Sequence, residues 1–156
     1  MARSKGIEVI QHNNARVEIN HDTQIVTKHY FRKASEFYVR REAKWLRKLT
    51  RFDVAPKFID YSGKTIVMKY VGKAVTPETL PDDWEAQLNN IADKLVKVKC
   101  FYLDLQLVHL RVLNGKIRLI DFGQTRTANP ARKWIPELIR ERMLNIVSPL
   151  VQNYIK

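Results

Sequence analysis

The stretch that most constrains this chain is Leu119-Ile120-Asp121-Phe122-Gly123, which follows the pair Asn114-Gly115 set between two apolar runs, Leu110 to Leu113 and Lys116 to Ile120. An Asn-Gly pair supplies the positive-φ residues of a type I′ turn, so the two runs are predicted to pair as a hairpin. Asp121 then stands where the second strand ends. A carboxylate there can hold a metal, and Gly123 lets the chain turn away at once. On the tripeptide alone, ordinary turn chemistry explains an Asp and a Gly after a strand better than a site does. The case for a site rests on what precedes it.

Ile7-Glu8-Val9-Ile10 and Ala15-Arg16-Val17-Glu18-Ile19 alternate as strands do, with Gln11 to Asn14 as the turn. A third strand is predicted over Gln24 to Phe31, with Val26, Lys28 and Tyr30 on one face. Ser35 is the predicted N-cap of a helix from Glu36 to about Arg51, whose apolar stripe is Tyr38, Trp45, Leu46 and Leu49. Glu42 interrupts that stripe. A buried carboxylate needs a partner, and Lys28 on the adjoining strand is the nearest in sequence, so the two are predicted to pair.

After Val54-Ala55-Pro56, a second hairpin is predicted from Phe58 to Tyr61 and Thr65 to Val71, turning at Ser62-Gly63. Lys73 to Pro81, with two prolines, reads as a linker. Asp82 or Asp83 then caps a helix through about Lys99 that carries Trp84, Leu88, Ile91, Leu95 and Val98 on one side. Phe101 to His109 holds one acid, Asp104, in a nearly apolar setting. A last helix is predicted from about Ala131, broken or bent near Pro149.

Composition limits the classes open to such a chain. Its 156 residues, 45% of them hydrophobic, suffice for one core or for two small lobes sharing one. The single cysteine, Cys100, forbids an internal disulfide and suits a reducing compartment; with no apolar run long enough to span a bilayer, the expected location is cytoplasmic. The formal charge of +12 favours polyanionic partners. The helix face Arg40, Lys44, Arg47, Lys48 and Arg51 is the candidate contact for an acidic partner or nucleic acid, although such a face is more often simply solvated.

A lysine on a third strand, a glutamate on the next helix, a hydrophobic hairpin leading into a linker, an isolated aspartate and then Asp-Phe-Gly resemble the protein-kinase-like fold in order and spacing. The resemblance implies an α+β, two-lobed molecule: an N-lobe over 1–72 of antiparallel sheet and one helix, a linker over 73–81, and a reduced, mainly helical C-lobe over 82–156. It implies an ATP-dependent phosphotransferase acting on a hydroxyl of a protein Ser or Thr or of a small molecule, with ATP and Mg²⁺ as cofactors. Lys28 would hold the α and β phosphates, Glu42 would aim it, and Asp121 would bind the metal. Asp104 would be the catalytic base. Met68 would be the gatekeeper, and the carbonyl of Lys69 and the N–H of Val71 would read adenine.

Departures from the pattern are informative. His109 stands where the family places an asparagine metal ligand; imidazole suits Mn²⁺ better than Mg²⁺. Tyr102-Leu103 replaces the His-Arg pair before the aspartate, and the first hairpin lacks the glycines that usually cover the phosphates. In its shortened C-lobe the chain resembles the compact atypical kinases of the RIO and lipopolysaccharide-sugar types. A lobe so short can complete its core with a second copy as a homodimer. The alternatives are a pseudokinase that binds nucleotide without turnover, and a basic nucleic-acid or partner-binding module.

Overall fold

Alternation of apolar and polar residues builds the first half of the molecule as one antiparallel sheet. The computed structural model describes residues 6–33, 35–102, 105–123, 125–127 and 135–152. Strands β1 (Ile7–Gln11), β2 (Ala15–Asn20), β3 (Ile25–Tyr30), β4 (Phe58–Ser62) and β5 (Thr65–Lys69) lie in the order β1-β2-β3-β5-β4. β3 is therefore interior. Lys28 sits opposite Val17 on one side and Ile66 on the other, so ladders on both edges fix its backbone.

Helix α1 (Ser35–Leu49) covers this sheet with Val39, Ala43, Trp45, Leu46 and Leu49 buried. Ser35 is not a cap accepting from the helix, as expected, but its first residue. Its hydroxyl and its N–H both donate back to the Arg32 carbonyl, closing a tight entry turn. The helix stops before Arg51 and tightens into a single 3-10 turn, Thr50–Phe52. Asp53 then reverses the chain in the left-handed region at φ 56°.

The second half holds β6 (Lys73–Ala74), α2 (Trp84–Lys97), β7 (Cys100–Phe101), β8 (Leu110–Leu113), β9 (Lys116–Leu119), β10 (Arg126–Thr127) and α3 (Ile135–Gln152). The stretch read as a linker thus opens with a strand: Lys73 pairs with Val112, and the Val75 N–H donates to Leu110. β6, β8 and β9 form one small sheet and β7 pairs with β10. The Asn114-Gly115 hairpin forms as expected, with φ 51° and 75° at its tip. α3 is not broken at Pro149 but runs on through it, although proline has no N–H to donate to the preceding turn.

One core joins the halves. Trp45, Leu49 and Ile66 from the first belong to the same buried cluster as Leu88, Leu95, Leu119, Phe122 and Met143 from the second. The result is an α+β, two-lobed, kinase-like architecture with an antiparallel N-terminal sheet. Among the described residues no helix is long and apolar enough to cross a membrane.

Candidate active site

The apolar stripe of α1 turns Glu42 into the core, where it is 1% exposed. A carboxylate so placed requires compensation. Tyr30 supplies one hydrogen bond, its hydroxyl donating to Glu42 Oε2 at 2.8 Å, and Lys28 Nζ lies 3.7 Å from the same oxygen. The predicted Lys28–Glu42 pair is present. Lys28 reaches further, donating to Asp121 Oδ1 at 3.3 Å, so one ammonium from β3 joins a carboxylate on α1 to another after β9.

Electrostatics follow from this sharing. Burial would lower the affinity of Lys28 for its proton, but Glu42, Tyr30 and Asp121 together hold it above its ordinary value. Burial raises Asp121, yet the hydrogen bond from His109 and the Lys28 charge hold its carboxyl well below the usual carboxylate range. Both groups are therefore ionised near neutrality. The Tyr30 hydroxyl is pushed up by burial and by Glu42, and so keeps the proton it donates.

Asp121 is set by its backbone. It adopts φ 69°, a left-handed conformation that aspartate reaches more readily than most residues with a Cβ but still at a cost. The constraint is on both sides of it: the Ile120 N–H donates to His109, the Tyr102 hydroxyl donates to the Ile120 carbonyl, and Phe122 is fully buried. Phe122 meets Tyr102 edge-to-face at 5.3 Å. Asp121, with its side chain 39% exposed, points out of this frame beside His109, whose Nε2 lies 3.4 Å from Oδ2.

Of the residues singled out from sequence, Lys28, Glu42, Asp121 and His109 come together. Met68 is buried at the end of β5, opposite Val26. Lys69 closes that strand, and Val71 follows, its N–H without an acceptor among the described residues. Asp104 lies outside the described residues. Tyr30 and Tyr102 were given no role in advance. The signal for Tyr30 was its place on the Lys28 face, and for Tyr102 its place in the departure before Asp104. Tyr30 also carries Lys28 over its ring at 4.8 Å, and a Cβ on Gly123 would come within 3.1 Å of its hydroxyl.

Among the described residues no cluster of three or more His, Cys, Asp or Glu forms a self-sufficient metal cage. Magnesium does not need one, since it is commonly held by one or two carboxylates with phosphate and water completing the shell. The partly exposed Asp121 carboxylate fits that role.

No curated protein matches the sequence significantly. Among solved structures, the Rio2 kinase from Chaetomium thermophilum in its ADP/Mg²⁺-phosphoaspartate complex superposes with a TM-score of 0.65 at 15% identity, over 91% of this chain and 54% of that one. The structure of WbdD, elsewhere described as a bifunctional kinase-methyltransferase, gives a TM-score of 0.66 at 17% identity, over 92% of this chain and 37% of that one. The chain thus spans about half the length of the first and little more than a third of the second. At these identities the likeness is one of fold. The family model of the RIO domain matches residues 6–140. Since that match takes in most of the chain, including Lys28, Glu42 and Asp121, the chain belongs to the RIO domain family.

Proposed function

We propose that the chain is an ATP-dependent phosphotransferase that passes the γ-phosphate to a hydroxyl of a protein Ser or Thr or of a small molecule. The observation that carries this reading is the convergence of Lys28 on Glu42 and Asp121, at 3.7 and 3.3 Å. Membership in the RIO domain family supports it. In this reading the Lys28 ammonium binds the α and β phosphates while Glu42 and Tyr30 hold it in place. The Val71 N–H and the Lys69 carbonyl meet the adenine edge beneath Met68. Asp121 holds magnesium, which when bound neutralises phosphate charge.

Asp104 takes the proton of the acceptor hydroxyl as its oxygen bonds to the γ-phosphorus. The bond from that phosphorus to the β–γ bridging oxygen breaks, and ADP leaves. Cys100 stays outside the chemistry: it is buried, and burial pushes its thiol up to about 12, as suits a cytosolic protein with an inert thiol.

A thermal melt with ATP and Mg²⁺ tests binding. At a ligand concentration about a hundredfold above Kd, the midpoint should rise by about 5 to 10 °C for a chain of this size. Labelled phosphate transfer that disappears in Asp104→Ala tests the chemistry. A second reading, a nucleotide-binding pseudokinase, is favoured by His109, which lies against Asp121 where an amide ligand is usual. Turnover dependent on Asp104 would rule it out, whereas a clear melting shift with no transfer to any acceptor would establish it.

A further inference from the structure

A concave surface lies where the C-terminal ends of α1 and α2 come together. At 100° per residue Arg47, Lys48 and Arg51 leave α1 and its terminal turn on the side away from Glu42. There they meet the end of α2. Together with Lys97, Val98 and Lys99 they line a cavity of about 470 Å³. None of its five cations lies within ion-pair distance of a carboxylate among the described residues, whereas Lys116, Arg118 and Arg140 each pair with an aspartate. Phe52 lies under two of them: the Arg51 guanidinium and the Lys97 ammonium stand over its ring at 4.6 and 5.3 Å, and Arg47 and Lys48 lie over Phe58 and Trp45 in the same way, so ring faces rather than carboxylates position these exposed side chains.

Lys99 is an independent sign. It occupies the position just past the α2 cap at φ 59°, with its N–H donating to Val96, where glycine is the favoured residue. A lysine kept in that conformation trades backbone ease for a charge at the cavity.

The shape of the cavity selects among anions. Both flanking helices present their C-terminal ends, so the backbone offers no N–H cradle for a single phosphate and an anion here must be held by the side-chain cations spread along the surface. A protein partner would want aromatic or aliphatic anchors, and Val98 is the single apolar residue in the lining. What remains is an extended chain of phosphates met by long flexible cations, drawn in by a net charge of +12.

We propose that this cavity docks the phosphodiester backbone of a nucleic acid. The test is fluorescence anisotropy of the whole chain with labelled RNA and DNA oligonucleotides over a salt series. Arg47→Gln/Lys97→Gln/Lys99→Gln should weaken binding about tenfold or more and flatten the slope of log K against log salt by about 2, the loss of three phosphate contacts on a single strand. The charge-matched Lys33→Gln/Lys57→Gln/Lys64→Gln, altered at exposed positions elsewhere, should retain most of the affinity.

Equal losses in both variants would reduce the effect to bulk charge and overturn the site, as would no loss in either. Competition by poly-glutamate as strong as by oligonucleotide would reassign the cavity to acidic peptides. RNA and DNA arms that differ would name the preferred polymer within the proposal. Lys99→Gly guards against a folding artefact: it should melt higher yet bind more weakly, and unchanged binding would refute the role of that lysine. The ATP-induced melting shift should be the same in all of these variants, because none touches the Lys28 site.

Discussion

Lys28 is the residue through which the candidate site holds together, because its single charge answers two carboxylates, Glu42 and Asp121, from separate elements. Among the described residues Glu42, fully buried, keeps only the Tyr30 hydroxyl if the ammonium is removed. Lys28→Met should therefore abolish the ATP-induced melting shift and also destabilise the apo protein by about 3 kcal/mol, the usual consequence of stranding a buried charge. Adding Glu42→Gln removes the stranded charge. The double variant should recover most of that stability while still failing to bind nucleotide, and denaturant melts of the two proteins separate the effects. If the double variant is no more stable than Lys28→Met, burial of Glu42 is not what the lysine compensates.

At the scale of elements, the sharpest constraint is where the sheet of the first half hands the chain to the second. Gly72 lies there at φ 98°, and a Cβ on it would fall 1.9 Å from the Val112 carbonyl oxygen of β8. The contact is with backbone, so no side chain can move aside. Its own carbonyl accepts from Arg111 Nε at 3.0 Å, which pins the crossing further. Gly72→Ala should cost about 2 to 4 kcal/mol and weaken nucleotide binding through the displaced Val71, to be measured by chemical denaturation and by the ATP shift.

The elements legible in the sequence were those with a period. The alternating runs gave β1 to β3, the apolar stripes gave α1 and α2, and Asn114-Gly115 located the β8–β9 hairpin. β6, β7 and β10 were not legible, because two residues cannot display an alternation and their pairing is decided by strands far away in sequence. The same holds within the site. Glu42 announced itself by breaking a stripe and Lys28 by lying on its face; Tyr30 shared that face, but its bond to Glu42 and that of Tyr102 to Ile120 join residues whose partnership no spacing encodes. Ser35 misled because a hydroxyl before a helix can turn backwards to Arg32 as readily as forwards.

For the molecule as a whole, the question is what keeps α1, which carries Glu42, in step with the hairpin that carries Asp121. The link lies at Asp53, held in its left-handed turn after α1. Its carboxylate receives Arg118 at 2.9 and 3.1 Å and Lys116 at 2.7 Å, and next to it the Leu119 N–H donates to the Val54 carbonyl at 2.9 Å. β9 is thereby tied to the end of α1 just before the chain reaches Asp121. The hydrogen bond from Arg118 foremost, helped by that from Lys116 and by both positive charges, holds the Asp53 carboxyl below its ordinary 3.8 against burial, which would raise it. A carboxyl depressed in the folded state stabilises the protein above the unfolded value, and that contribution is lost as pH falls through the folded one. Asp53→Asn is the clean probe, since asparagine accepts the same positive φ and a similar shape. Because the pair is half exposed, the variant should be less stable by under about 1 kcal/mol at neutral pH, and less again in high salt. The gap between the two proteins should stay constant while pH falls toward 3.8 and close below it, as followed by urea midpoints across the acid range. A gap that persists unchanged into strong acid would mean that the tie between α1 and β9 rests on the Val54–Leu119 hydrogen bond and on packing, with the charge of Asp53 incidental.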